Sequence, residues 1–178
     1  PEPEPEPDLW VDPAAVAAVA FAPEVVPLRI IVEDPHVIVV DKPAGMHLHP
    51  LGEFRTGTLL NALLAHAGAT ATSPWGAWRP HPLHRLDRAA SGLTAFAKSA
   101  AAQRGLRVDR TYEATVTGVV TADRGTIDAP LGRDPANDYR RAVRPDGARA
   151  VTHYRVVHRR ADRTTLALTL ETGRTHQI

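Results

Sequence analysis

The sequence contains no cysteine. That absence excludes a disulfide scaffold, a thiol nucleophile and a cysteine-ligated zinc site. No apolar run approaches the ~18 residues of a membrane span, and the acidic, proline-rich start is the opposite of the basic region that opens a secretory signal. There is no glycine-rich dinucleotide or phosphate loop either, so no cofactor is expected. Nine histidines are present, but the closest pairs, His47-x-His49 and His81-x-x-His84, lack the i, i+4 spacing of a helical zinc site. His81 also lies between prolines, where no helix can form, and no third ligand can be placed, so no metal is expected. Ser91 has no Gly-x-Ser-x-Gly elbow around it, which argues against a hydrolase triad with Asp87. The expectation is a soluble, cytoplasmic protein.

The 178 residues suffice for one domain of catalytic size. Its formal charge of +1 hides a division along the chain. Residues 1–34 carry a net charge of −7 and residues 35–178 a net charge of +8. Nineteen of the 21 bases are arginine, ten of them between Arg133 and Arg174. Arginine pairs bidentately with phosphate and stacks on bases, which points to nucleic acid, although a general preference for arginine over lysine gives the same composition.

Half of the 16 prolines fall in the first 35 residues, beginning with the Pro-Glu repeat of Pro1 to Pro7. Residues 1–27 therefore read as an extended acidic tail, with at most a turn or two of helix over 12–20, and residues 28–178 as the folded domain. Leu28–Glu33 and Val37–Asp41 are β-branched runs joined by the turn Asp34-Pro35-His36. Thr58–Ala67 has apolar residues at helical spacing with Thr56 or Thr58 as N-cap. Residues 68–82 read as a loop, Gly92–Lys98 as a strand, and Ser99 as the cap of a short alanine-rich helix. Tyr112, Ala114 and Val116 alternate with Glu113 and Thr115 as a half-buried strand. Val151–His158 and Thr164–Glu171 read as an antiparallel hairpin. The class is α+β, with a mixed, mostly antiparallel sheet and flanking helices.

Two clusters could carry chemistry. In His84-Arg85-Leu86-Asp87-Arg88, arginines at −2 and +1 favour the charged carboxylate, which suits a nucleophile or cation stabiliser and not a general acid. The alternative is a surface ion-pair cluster around a turn. In Glu171-Thr172-Gly173-Arg174-Thr175-His176-Gln177-Ile178, the glycine after a strand permits a sharp turn that could aim Arg174 into a cleft. A third segment, Asp41-Lys42-Pro43-Ala44-Gly45-Met46-His47-Leu48-His49-Pro50, is a rigid loop leaving a strand.

Taken in order, these segments resemble the RluA branch of the pseudouridine synthases. The resemblance is carried by Asp41 to Met46 with His49-Pro50, Thr58 to Leu64, His84 to Arg88 with Ser91-Gly92-Leu93, and Phe96-Ala97-Lys98. It continues through Tyr112-Glu113-Ala114 with Gly118, Arg141 to Thr152 leading to Tyr154-Arg155-Val156, and Thr172 to Ile178. Ala90 stands where the family usually has threonine, the stretch 103–111 is short, and the domain reads as incomplete at its C-terminus.

The resemblance implies a fold with a central RNA-binding cleft and an isomerase that converts a uridine in rRNA or tRNA to its C-glycoside without cofactor or metal. A module that binds RNA without turnover is the alternative. By the same resemblance Asp87 is the catalytic aspartate, Arg174 the base that pairs with it, and Tyr112 the residue that stacks on the everted base. Arg85 would open the RNA or hold a phosphate. His84 and Arg88 complete the substrate-binding set, and the partner is RNA. Oligomeric state and the target uridine are silent in the sequence.

Overall fold

A computed structural model describes residues 22–178 apart from Gly52 and Ala71. The Pro-Glu repeat and the helical turns expected over 12–20 lie outside the described residues. Strands β1 (Ile30–Glu33) and β2 (Val37–Lys42) form from the two β-branched runs and pair antiparallel, Glu33 opposite Ile38. The Asp34 side chain makes the turn between them. Its Oδ1 accepts from the amides of His36 at 2.7 Å and Val37 at 2.8 Å, donors that the reversing chain would otherwise leave bare.

Along β2 burial alternates: Ile38, Val40 and Lys42 are wholly buried, while Val37, Val39 and Asp41 are only partly so. Helix α1 (Leu59–His66) lays Leu59 and Leu63 against that inward row, with Phe96 and Leu48 completing the cluster. Burying each such side chain contributes about 1.5–3 kcal/mol. A capping box starts the helix. The Thr58 hydroxyl accepts from the Asn61 amide at 3.3 Å, and the Asn61 carboxamide oxygen accepts from the Thr58 amide at 3.1 Å. Asn61 also donates to the Ala22 carbonyl at 2.8 Å, and the Glu24 carboxylate accepts from the Gly57 amide at 2.7 Å. Part of the segment assigned by sequence to the tail is thereby bonded to α1 and the residues before it.

Strand β3 (His81–Pro82) is a short edge added to β4 (Gly92–Ala97), giving the order β1-β2-β4-β3. The sequence reading placed residues 68–82 in a loop. Two residues carry no legible period, and Pro82 is tolerated because the strand lies at an edge. Ser99 caps α2 (Ala100–Gly105), its hydroxyl accepting from the Ala102 amide at 3.1 Å.

These elements make one compact unit ending at Val108; residues Asp109–Ile178 make a second. In the second, β5 (Thr111–Thr117), β6 (Arg124–Asp128), β9 (Val151–Arg159) and β10 (Arg163–Leu170) form a sheet of order β5-β10-β9-β6. Strands β7 (Leu131–Asp134) and β8 (Asn137–Val143) form a separate ribbon. On one face of the sheet, Tyr112, Leu168, Tyr154 and Gly125 stand in register. Gly125 is required there, because a Cβ would lie 2.6 Å from the Tyr154 hydroxyl. The hairpin β9–β10 matches the sequence reading, whereas β6, β7 and β8 were not anticipated. None of their described side chains is fully buried, which removes the alternation that marks a strand. The class is α+β, and every strand pairing among the described residues is antiparallel.

Glu33, at the end of β1, gathers Lys98 at 2.7 Å from beyond β4 and His66 at 3.0 Å from the last turn of α1. The Lys98 hydrogen bond, aided by His66, holds its carboxyl below the ordinary 4.5. As pH falls, the unfolded chain protonates this group first, so its contribution is complete above the ordinary value and is lost through the folded one. Glu33→Gln should flatten the acid limb of a plot of melting temperature against pH while leaving the rest of the curve in shape.

Candidate active site

Lys42 occupies the third inward position of β2, after Ile38 and Val40, where a lysine would ordinarily be excluded. Opposite it on β4 stands Gly92, whose φ of +125° only glycine adopts readily. The ammonium is satisfied by three main-chain carbonyls: Met46 at 2.9 Å, Pro43 at 3.1 Å and Arg88 at 3.3 Å. Two of these lie in the loop leaving β2 and the third is the residue after Asp87. Burial pushes the ammonium below its ordinary value, and the negative charge of Asp87 acts in the other direction.

The same two loops are stitched together twice more. The Gly45 amide donates to the Arg88 carbonyl at 2.7 Å, and the Arg88 Nε donates to the Gly45 carbonyl at 3.1 Å. Arg88 also lies over the Phe54 ring, 5.5 Å from its centroid. Asp87 sits between these anchors on an exposed tight turn, its carbonyl accepting from the Ala90 amide at 3.1 Å. The sequence reading had arginines at −2 and +1 favour the charged carboxylate. In the structure Arg88 donates its Nε to the Gly45 carbonyl, and the buried Lys42 is a further cation near Asp87.

His84 Nε2 accepts from the Ala95 amide at 3.2 Å, which fixes the start of the loop against β4. Arg85 is exposed, and its charge, after burial, helps push His49 below its ordinary value, with His47 adding to the effect. His84, Arg85, Asp87 and Arg88 are thus brought together with Lys42 and His49 in the first unit.

Tyr112 and Arg174 belong to the second unit. Tyr112 is half-buried on β5, opposite Leu168 of β10, as its alternation predicted. Arg174 is half-buried and its Nε donates to the Arg149 carbonyl at 2.9 Å. Gln177, to which the sequence reading gave no role, shapes this loop. Its carboxamide oxygen accepts from the Thr172 hydroxyl at 2.9 Å and the Arg174 amide at 2.8 Å. Its nitrogen donates to the Val151 carbonyl and to the Thr152 hydroxyl oxygen, both at 3.0 Å.

A family model described as RNA pseudouridylate synthase matches residues 36–178, the stretch that contains every one of these groups. The chain belongs to the RNA pseudouridylate synthase family. It is 46% identical over 158 residues to the ribosomal large subunit pseudouridine synthase D of Pseudomonas aeruginosa, covering 85% of this chain and 48% of that protein. With an uncharacterized RNA pseudouridine synthase of Bacillus subtilis it shares 44% identity, covering 85% of this chain and 52% of the relative. The chain thus spans about half the length of the curated relatives it matches. Among solved structures, human RNA Pseudouridylate Synthase Domain Containing 1 matches with a TM-score of 0.66 at 22% identity, over 86% of this chain and 63% of that one, a likeness of fold.

Replacing Lys42 by Met removes the ammonium and leaves the Met46 and Pro43 carbonyls without a donor, whereas the Arg88 carbonyl keeps the Gly45 amide. Hydrogen bonds to charged groups are worth about 1.5–3 kcal/mol each, and orphaned buried acceptors cost more than absent ones. Lys42→Met should destabilise the fold by about 3 kcal/mol, read as a lowered urea midpoint at unchanged slope.

Proposed function

We propose that this chain carries the catalytic centre of an RNA pseudouridine synthase, with Asp87 as its catalytic carboxylate. The observation that supports it best is the exposed Asp87 turn, fixed to the β2 loop by the Lys42 ammonium and Arg88, within a stretch that matches the family model throughout. A carboxylate that must reach an everted nucleotide needs to be both accessible and held still, and this turn satisfies both conditions.

In this reading the N-glycosidic bond of a uridine breaks, the uracil turns, and its C5 bonds to the ribose C1′. No redox change or group transfer occurs. The Asp87 carboxylate adds to base or sugar, or assists proton removal from the ribose as an oxocarbenium-like state forms. Arg174 takes the role of the basic catalytic residue, and Tyr112 stacks on the extruded base and takes part in removal of the C5 proton. Arg85, His84 and Arg88 shape the entry for the nucleotide, with Arg85 contacting phosphate.

Extruding a base costs a few kcal/mol, which phosphate contacts offset. The β7–β8 ribbon offers such contacts. Arg133 stands opposite Arg141, and Tyr139 is 89% exposed beside Arg140. The name of the Pseudomonas aeruginosa relative refers to the large ribosomal subunit, so its RNA is the proposed substrate class, and a cytoplasmic place follows from it. No helix among the described residues is long and apolar enough to cross a membrane.

Asp87→Asn should reduce tritium release from 5-tritiated uridine in ribosomal RNA by at least about 10³-fold without lowering the melting temperature. Tritium release that survives this substitution would remove Asp87 from the reaction.

A further inference from the structure

The face of the second sheet opposite Tyr112 and Leu168 is a trough. Its floor is the small side chains Ala167 and Thr169 of β10. One cross-strand row reads Thr111, Thr169, His153, Thr126, and the next Glu113, Ala167, Arg155, Arg124. Taller side chains on β9 and β6 wall the floor, and the depression, of about 540 Å³, is lined by Thr111, Arg124, Thr126, His153, Arg155 and Thr169 among others.

Arg124 and Arg155 stand directly opposite one another on neighbouring strands. Like charges in that position repel, and a carboxylate between them would be the ordinary relief. The nearby carboxylates are placed elsewhere. Glu171 accepts from His153 at 2.8 Å and from Arg149 at 3.1 Å, and Asp123 is bound by Arg159 at 2.7 Å. Glu113 shares the arginine row but is separated from Arg155 by the whole width of β10, about 10 Å at ordinary strand spacing. Asp128 lies one row beyond Thr126, opposite Val151. His153 is held in place from both sides, Nδ1 against the Thr126 hydroxyl at 2.8 Å and Nε2 against Glu171.

Two guanidinium groups on neighbouring strands beside a row of hydroxyls form a cradle for a tetrahedral oxyanion. We infer that this trough binds a backbone phosphate of RNA, a contact additional to the groups assigned to isomerisation. The inference rests on RNA being the substrate, as proposed above. The lining groups address phosphate oxygens and not base edges, so the contact holds and orients the RNA without reading its sequence.

The test is binding of a labelled hairpin RNA as a function of potassium chloride concentration. The parent is compared with a variant carrying Arg124→Ala and Arg155→Ala together, and with Arg163→Ala, whose guanidinium is held by Asp162 at 2.7 Å, as control. The double variant should bind about 10-fold more weakly at low salt. The slope of log affinity against log salt should fall by roughly 1, the loss of one neutralised phosphate, with the melting temperature and the control unchanged. Unchanged affinity and slope would overturn the inference. So would a double variant whose weaker binding is accompanied by a lowered melting temperature, which would make the trough a packing surface. Because the readout is binding and not turnover, the result is independent of whether Asp87 proves catalytic.

Discussion

A single buried ammonium organises the first half of this molecule. Lys42 sits at a core position of a strand and has its three donors taken by carbonyls of two different loops. Taking such a charge out of water costs several kcal/mol, and only well-placed acceptors repay it. The loops that provide them are therefore not free to wander independently. The turn bearing Asp87 inherits its position from a hydrogen-bonded knot in the interior, although the carboxylate itself faces solvent.

The second unit solves a similar problem with a neutral group. Gln177 reaches from the chain after β10 to Val151 and Thr152 of β9, and accepts from Thr172 and Arg174 of its own loop. Each of its polar atoms is used twice. The residues of the two proposed catalytic loops that never touch substrate thus determine the backbone path of the residues that do. An ammonium held by main-chain carbonyls and a carboxamide held by hydroxyls and main chain are the scaffolding under Asp87 and Arg174.

Much of this was readable in the chain before any coordinates. The alternation of β5 and β10, the turn at Asp34 and the Thr58 cap each follow from a local rule, and the ordered motifs named the family. Lys42 was legible in principle, since it has the same parity as Ile38 and Val40. A lysine before Pro43 reads as exposed, however, and what makes burial tolerable, Gly92 opposite and a carbonyl 46 residues away, is tertiary. Strands β6 to β8 were illegible for a different reason. The partner of β6 is set by long-range pairing with β9, and in the local β7–β8 ribbon no described side chain is fully buried, so no alternation marks these strands. The bond from Arg88 Nε to the Gly45 carbonyl was not legible, because its acceptor lies 43 residues away in sequence.

The tie between the leading segment and α1 bears on how shorter forms of this protein should be made. Asn61 hangs on the Ala22 carbonyl and Gly57 on the Glu24 side chain, so residues 22–27 are a strap across the start of the helix. A recombinant form trimmed to Leu28, where composition alone would put the boundary, would cut that strap and remove the acceptors of both bonds. Trimming at Ala22 removes the Pro-Glu repeat and keeps the strap whole.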